Sequence, residues 1–110
     1  MIVKGLMMSS FLTVELSTFI MEYYDNGHVI LSDKYSHMPT ELLEIPSPTV
    51  DKLRAACQSI TCTKSYLNGS YTPSRYLLTV KYNDCTVECS IRDIVPKHIS
   101  IIREITLQLL

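Results

Sequence analysis

Between Tyr76 and Ile91 apolar and polar positions alternate in two runs that meet at Asn83-Asp84. With Tyr82 set opposite Cys85 across a two-residue turn, Val80 faces Val87, Leu78 faces Cys89 and Tyr76 faces Ile91, all on one side of the pleat. The other side pairs Lys81 with Thr86, Thr79 with Glu88 and Leu77 with Ser90. One face suits a core and the other mostly suits water, and a one-residue slip would exchange them. The pattern predicts a β-hairpin whose register is set by its own side chains.

Upstream the alternation is weaker. Thr13 to Tyr24 reads as one strand, with Val14, Leu16, Thr18, Ile20 and Glu22 on one parity and Glu15, Ser17, Phe19, Met21 and Tyr23 on the other. Asp25-Asn26-Gly27 is a turn signal, because Asn and Gly accept left-handed backbone, and His28 to Ser32 runs back as a second strand. Residues 33–40 read as loop, and Glu41 to Ile45 as a short third strand with Leu43 and Ile45 inward. Pro46-Ser47-Pro48 then starts a helix over 48–60, with Ser47 as N-cap, Pro48 at the first helical position and Asp51 in the first turn. Val50, Leu53, Cys57 and Ile60 form its apolar stripe. Residues 62–75 are irregular, broken by Gly69 and Pro73, and residues 93–96 lead into a closing helix over 97–109.

That last helix is apolar around more than one stripe. Ile99, Ile102, Ile105 and Leu109 can face a sheet together, which leaves Ile101 and Leu107 pointing further round. Burial under a loop, coverage by the apolar N-terminal segment, and contact with a second chain are the three readings of that surplus. The expected fold is α+β: an antiparallel sheet of four to six strands, built as two hairpin-plus-helix halves, with two helices packed on one face.

Composition narrows this picture without naming a chemistry. At 110 residues and 46% hydrophobic, the chain has the material for one core, read as a single domain over 1–110. Ten basic against eleven acidic residues leave a formal charge of −1, which disfavours a nonspecific grip on nucleic acid and equally a DNA-mimicking surface. No apolar run reaches the ~20 residues of a membrane helix. The N-terminal MIVKGLMMSSFLTV has the outline of a signal peptide, but Ser9 and Ser10 interrupt it and no Ala-x-Ala pattern follows. An intracellular location, in the producing or a host cell, is expected, with secretion as the alternative.

Cys57, Cys62, Cys85 and Cys89 lack the C-x2-C knuckle of structural zinc sites. In the predicted hairpin Cys85 and Cys89 share a face but stand ~13 Å apart at ~3.3 Å per residue, too far to pair. Buried free thiols are expected, and a disulfide from a hairpin cysteine to Cys57 or Cys62 is the alternative. No metal or cofactor is expected.

The inventory for catalysis is thin. His28, His37 and His98 are scattered, no spacing brings Glu15, Glu22, Asp25, Glu41 and Glu44 into an acid-base pair, and three glycines cannot build a phosphate-cradling loop. Asn68-Gly69-Ser70 fits a glycosylation acceptor, which matters only in a secreted protein. Seven tyrosines and no tryptophan are more suggestive. Tyrosine offers a large, stiff contact area with a polar tip, and residues 66–76 interleave it with Asn, Ser and Arg as a recognition loop does. Tyr66, Asn68, Tyr71 and Arg75, with Ile101 and Leu107 on the closing helix, are the candidate partner-binding residues, and the closing helix offers a route to a homodimer. The expected function is a non-catalytic protein-binding module, a small inhibitor or adaptor encoded by a virus or mobile element, acting by steric occupation of a partner protein's surface. The alternatives are a small disulfide-containing extracytoplasmic domain and a small-ligand binder or enzyme with a Cys/His site.

Overall fold

In the computed structural model, which describes residues 9–67, 73 and 76–110, the chain runs in order through nine elements. These are β1 (Leu12–Glu15), β2 (Phe19–Tyr23), β3 (His28–Asp33), β4 (Pro39–Glu44), α1 (Ser47–Gln58), β5 (Lys64–Ser65), β6 (Leu77–Tyr82), β7 (Cys85–Ser90) and α2 (Lys97–Gln108). The class is α+β, as expected. The sheet is larger than expected and mixed: seven strands in the order β4-β3-β2-β1-β6-β7-β5, with β5 parallel to β7 and every other pair antiparallel.

The β6–β7 hairpin has the predicted register at every position, from Tyr82↔Cys85 to Leu77↔Ser90, and Ile91 N–H donates to the Tyr76 carbonyl at 3.0 Å. Its turn works because Asn83 takes φ 52, a left-handed conformation that Asn tolerates. The first strand differs from expectation. Residues 13–24 fold back on themselves at Ser17-Thr18, where Leu16 N–H donates to the Phe19 carbonyl at 2.9 Å, so one strand becomes the hairpin β1–β2. Across this two-residue turn Val14 pairs with Met21 and Leu12 with Tyr23. Even positions of β1 and odd positions of β2 therefore share the buried face, which is why alternation failed halfway along the segment.

Gly27 sits at φ +90, and a Cβ there would stand 2.6 Å from the Ile45 carbonyl oxygen. Glycine is needed at that turn both for its backbone and for the close approach of the chain entering α1. The third strand begins earlier than expected, at Pro39, with a register shift at Leu31/Ser32. Asp33 Oδ1 accepts from Tyr35 N–H at 2.8 Å and Ser36 N–H at 3.1 Å, shaping the β3–β4 turn. The Ser36 amide first and the Tyr35 amide second hold that carboxyl below its ordinary value.

α1 starts one residue before the expected position. Pro46 is its N-cap without a side-chain cap bond, Ser47 is already helical, and Asp51 lies beyond the first turn. Its buried residues, Val50, Leu53, Ala56 and Cys57, carry the stripe read from the sequence. Both helices lie on one face of the sheet and against each other, closing a core of Leu12, Val14, Met21, Tyr23, Leu78 and Val80 under Leu53, Ile99 and Ile102. Inside that core Thr106 of α2 and the Tyr23 hydroxyl share a 2.7 Å hydrogen bond. Burial pushes Tyr23 up to about 12, and burial does the same for the Cys57 thiol. Arg103 Nη1 ties α2 to the end of β7 by donating to the Ser90 and Asp93 carbonyls at 3.0 and 2.8 Å.

The other face of the sheet carries no helix among the described residues. Glu15 anchors its charge there, with Lys81 Nζ at 2.5 Å and Lys34 Nζ at 3.8 Å. All four cysteines are free; Cys57 and Cys89 are buried as expected, whereas Cys85 is half-buried and Cys62 is exposed.

Candidate functional site

Where α1 ends and α2 begins, the turn from Ser59 to Thr63 leads into β5 at the edge of the sheet. β5 owes its place to long-range bonds rather than to its own two residues. Thr86 N–H donates to Thr63 Oγ1 at 3.0 Å, and Tyr66 N–H to the Glu88 carbonyl at 2.8 Å. The result is a hollow of about 290 Å³ lined by Ile60, Cys62, Lys64, Tyr66, Val87 and His98. A shallower hollow of about 370 Å³ lies beside it on the helix layer, lined by Lys52, Ala55, Lys97 and Ile101. His98 and Ser59 line both, so the two adjoin as one groove.

The groove is apolar at its floor, with Ile60, Val87 and Ile101, and basic at its rim, with Lys52, Lys64 and Lys97. Lys64 Nζ sits over the Tyr66 ring, 5.3 Å from its centroid, a cation–π contact that holds the ring in place. No carboxylate lines either hollow. Among the described residues the ion pairs involve His28, Lys34, Arg54 and Lys81, so none of the three groove lysines is neutralised by a described carboxylate. α2 opens onto the groove with Pro96 as its N-cap, no side-chain cap bond and no acidic residue in its first turn. The dipole of its N-terminal end adds to the positive character of the rim.

Of the residues singled out in the sequence, Tyr66 and Ile101 meet at this groove through the shared His98. Ile101 is half-buried against the core, and Leu107 is 37% exposed further along α2. Asn68, Tyr71 and Arg75 lie outside the described residues. Lys52, Lys64 and Lys97 are not marked in the sequence, because single lysines far apart carry no local signal until the fold collects them, and His98 reads there only as one of three scattered histidines.

Two other sites of potential chemistry resolve into structure. The third hollow, about 360 Å³ beside Ser10 to Thr13, is bordered by Arg54 and Lys81, both already engaged. Arg54 pairs with Asp25 and lies 4.9 Å from the Phe11 ring centroid, while Lys81 pairs with Glu15. The buried thiol of Cys89 is pushed up by burial, as Cys57 is, which disfavours the reactive thiolate. Among the described residues no group of three or more His, Cys, Asp or Glu side chains is placed to hold a metal, and no helix is long and apolar enough to cross a membrane. No protein-family model, curated protein or solved structure matches the chain.

Proposed function

We propose that this chain is a non-catalytic protein-binding module, of the small inhibitor or adaptor kind, that seats an acidic and partly apolar segment of a partner protein in the groove between β5 and the helix layer. One observation carries the reading: three lysines and a histidine surround two adjoining hollows that no carboxylate lines, in a chain whose overall charge is −1. Glu15, Glu22 and Glu88 share the parity of the open sheet face, opposite the buried positions of β1, β2 and β7. A partner carboxylate approaching the rim meets lysines that no described carboxylate pairs, and an aliphatic side chain between two such carboxylates reaches Ile60, Val87 or Ile101. Attraction of this kind sets the approach and the register of a partner, while burial of its apolar groups sustains the complex.

Fluorescence anisotropy with a labelled peptide of alternating Glu and Leu tests the reading against its Lys/Leu counterpart and against single-stranded RNA. The expected result is binding of the acidic peptide alone, weakening as salt is raised toward physiological strength. A Lys64→Glu, Lys97→Glu variant then loses about tenfold or more in affinity. Equal binding of both peptides would remove the electrostatic argument, and tighter binding of RNA would assign the groove to nucleic acid instead.

A further inference from the structure

Two of the four free cysteines come together where β5 begins. β5 runs parallel to β7 with Lys64 opposite Val87 and Ser65 opposite Glu88. Carried back along both strands, that register sets Thr63 opposite Thr86 and Cys62 opposite Cys85. The first of these steps is realised, because Thr86 N–H donates to Thr63 Oγ1 at 3.0 Å. With that amide bonded to a side chain rather than to a carbonyl, the regular ladder stops short of Cys62, which lies exposed at a bend one residue before the bonded threonine.

Both cysteine side chains belong to the side of the sheet that carries the helices. Cys85 has the parity of Val87 and Cys89, which are buried, and it packs against the same core. Cys62 has the parity of Lys64 and Tyr66 and lines the same hollow as they and Val87 do. Neighbouring strands stand about 4.8 Å apart, within the roughly 4.4–6.8 Å between Cα atoms that a disulfide spans. The other two cysteines are poorly placed to compete. Cys57 and Cys89 are buried, burial pushes both thiols up, and Cys89 stands ~13 Å from Cys85 along β7 at ~3.3 Å per residue.

We propose that Cys62 and Cys85 form a thiol–disulfide exchange site, closed by a small disulfide of the glutathione class into a link that fastens the start of β5 to β7. The exchange takes two steps. Cys62, exposed and so reached first, attacks as the thiolate on one sulfur of the oxidant, forming a mixed disulfide and releasing one thiolate. The Cys85 thiolate then attacks the Cys62 sulfur, forming the Cys62–Cys85 bond and expelling the second. Each departing thiolate takes up the proton that the attacking cysteine lost. The chain gives up two electrons and two protons, and the oxidant leaves as two thiols.

The link acts where the backbone holds least. β5 is two residues long and is kept in place by a few long-range bonds, so a covalent tie one residue before Thr63 restrains a strand that its own ladder barely fixes. The site stands apart from the occupant of the groove, since it needs only the register of β5 on β7.

The test is to equilibrate the dilute full chain with reduced and oxidised glutathione over a range of ratios, quench in acid, alkylate, and map the cysteines by mass spectrometry. Wild type is expected to fall from four free thiols to two, with the Cys62 and Cys85 peptides joined, and to return to four when reduced glutathione is in excess. Cys85→Ser is expected to stop at the glutathione adduct of Cys62. In the oxidised chain the Tyr66 and Thr86 amides should exchange with solvent more slowly than in the reduced chain. Four free thiols at every ratio overturn the proposal, as does wild type that keeps glutathione on Cys62. A link from Cys62 to Cys57 or Cys89, or one formed only in denaturant or only between two chains, overturns it as well. Unchanged or faster exchange at Tyr66 and Thr86 in the linked chain overturns the fastening of β5.

Discussion

The β6–β7 and β3–β4 hairpins are both antiparallel pairs of six-residue strands, yet they depend on different things. In β6 and β7 the inward positions Leu78, Val80, Val87 and Cys89 are buried, and the register is enforced by the core on one face. In β4 only Leu43 is even half-buried, and the strand is held by its ladder to β3, by Thr40 Oγ1 donating to the Leu31 carbonyl at 3.0 Å and by the His28–Glu44 contact at 3.3 Å. The contrast teaches where sequence change should be felt: a buried hairpin is specified by its side chains, whereas an edge strand is specified by its backbone and leaves its side chains free for contacts outside the fold.

The sharpest way to break the comparison is a charge placed in each hairpin. Val80→Asp is expected to abolish the cooperative melt, because an unpaired buried carboxylate costs several kcal/mol against a total stability of about 5–15 kcal/mol. Leu42→Asp should leave the melt of the dilute protein within about 0.5 kcal/mol of wild type. Circular dichroism melts of the two variants decide it, and an equal loss in both would show that β4 is as much a part of the core as β6.

Alkaline pH acts next, on the same buried side. Tyr23 is raised from 10.0 to about 12 and Cys57 from 9.0 to about 12, both mainly by burial. The folded chain therefore holds these two protons more tightly than the unfolded chain does. Their contribution to stability is complete below pH 9 and is lost as pH rises through 9 to 12. Denaturant midpoints should fall across that window, and in Tyr23→Phe the fall should shrink; a midpoint flat to pH 12 would contradict the burial of both groups.

How much of this was legible beforehand follows from the same contrast. The β6–β7 register could be read because burial writes a period of two into the sequence and Asn83 marks the turn. The β1–β2 turn could not, since Ser17 and Thr18 are neither glycine nor asparagine, and only His37 and Asn83 among the described non-glycine residues take positive φ. β5 was invisible because Lys64 and Ser65 are too few to show a period and are placed by Thr63 and Tyr66 bonding to a strand far along the chain. Of the groove, the sequence offered Tyr66 and Ile101, one by aromatic composition and one by surplus on a helical wheel. Its lysines had no local pattern to betray them, and the Tyr23–Thr106 bond joins residues that only the packing of α2 on β2 brings together.

That bond supplies a smaller effect on the buried side. Thr106→Val keeps the shape of the side chain but leaves the Tyr23 hydroxyl in the core without its partner, an expected loss of about 1–3 kcal/mol. Tyr23→Phe should cost less, because the Thr106 hydroxyl can turn to a carbonyl of its own helix. Chemical denaturation of both single variants and the double variant measures the coupling, and an additive pair would show that the 2.7 Å contact contributes nothing beyond its parts.

The smallest expected effect falls on the edge, and it is informative because it is small. Leu42→Ala removes a side chain that is 61% exposed, so in dilute solution its cost should stay within about 0.5 kcal/mol, whereas Leu78→Ala, at 0% exposure on β6, should cost about 2–5 kcal/mol. Chemical denaturation of wild type and the two variants reads this directly. A small loss at Leu42 beside a large one at Leu78 confines β4 to the ladder it makes with β3, and equal losses would show that the edge leucine is as much a part of the core as the buried one.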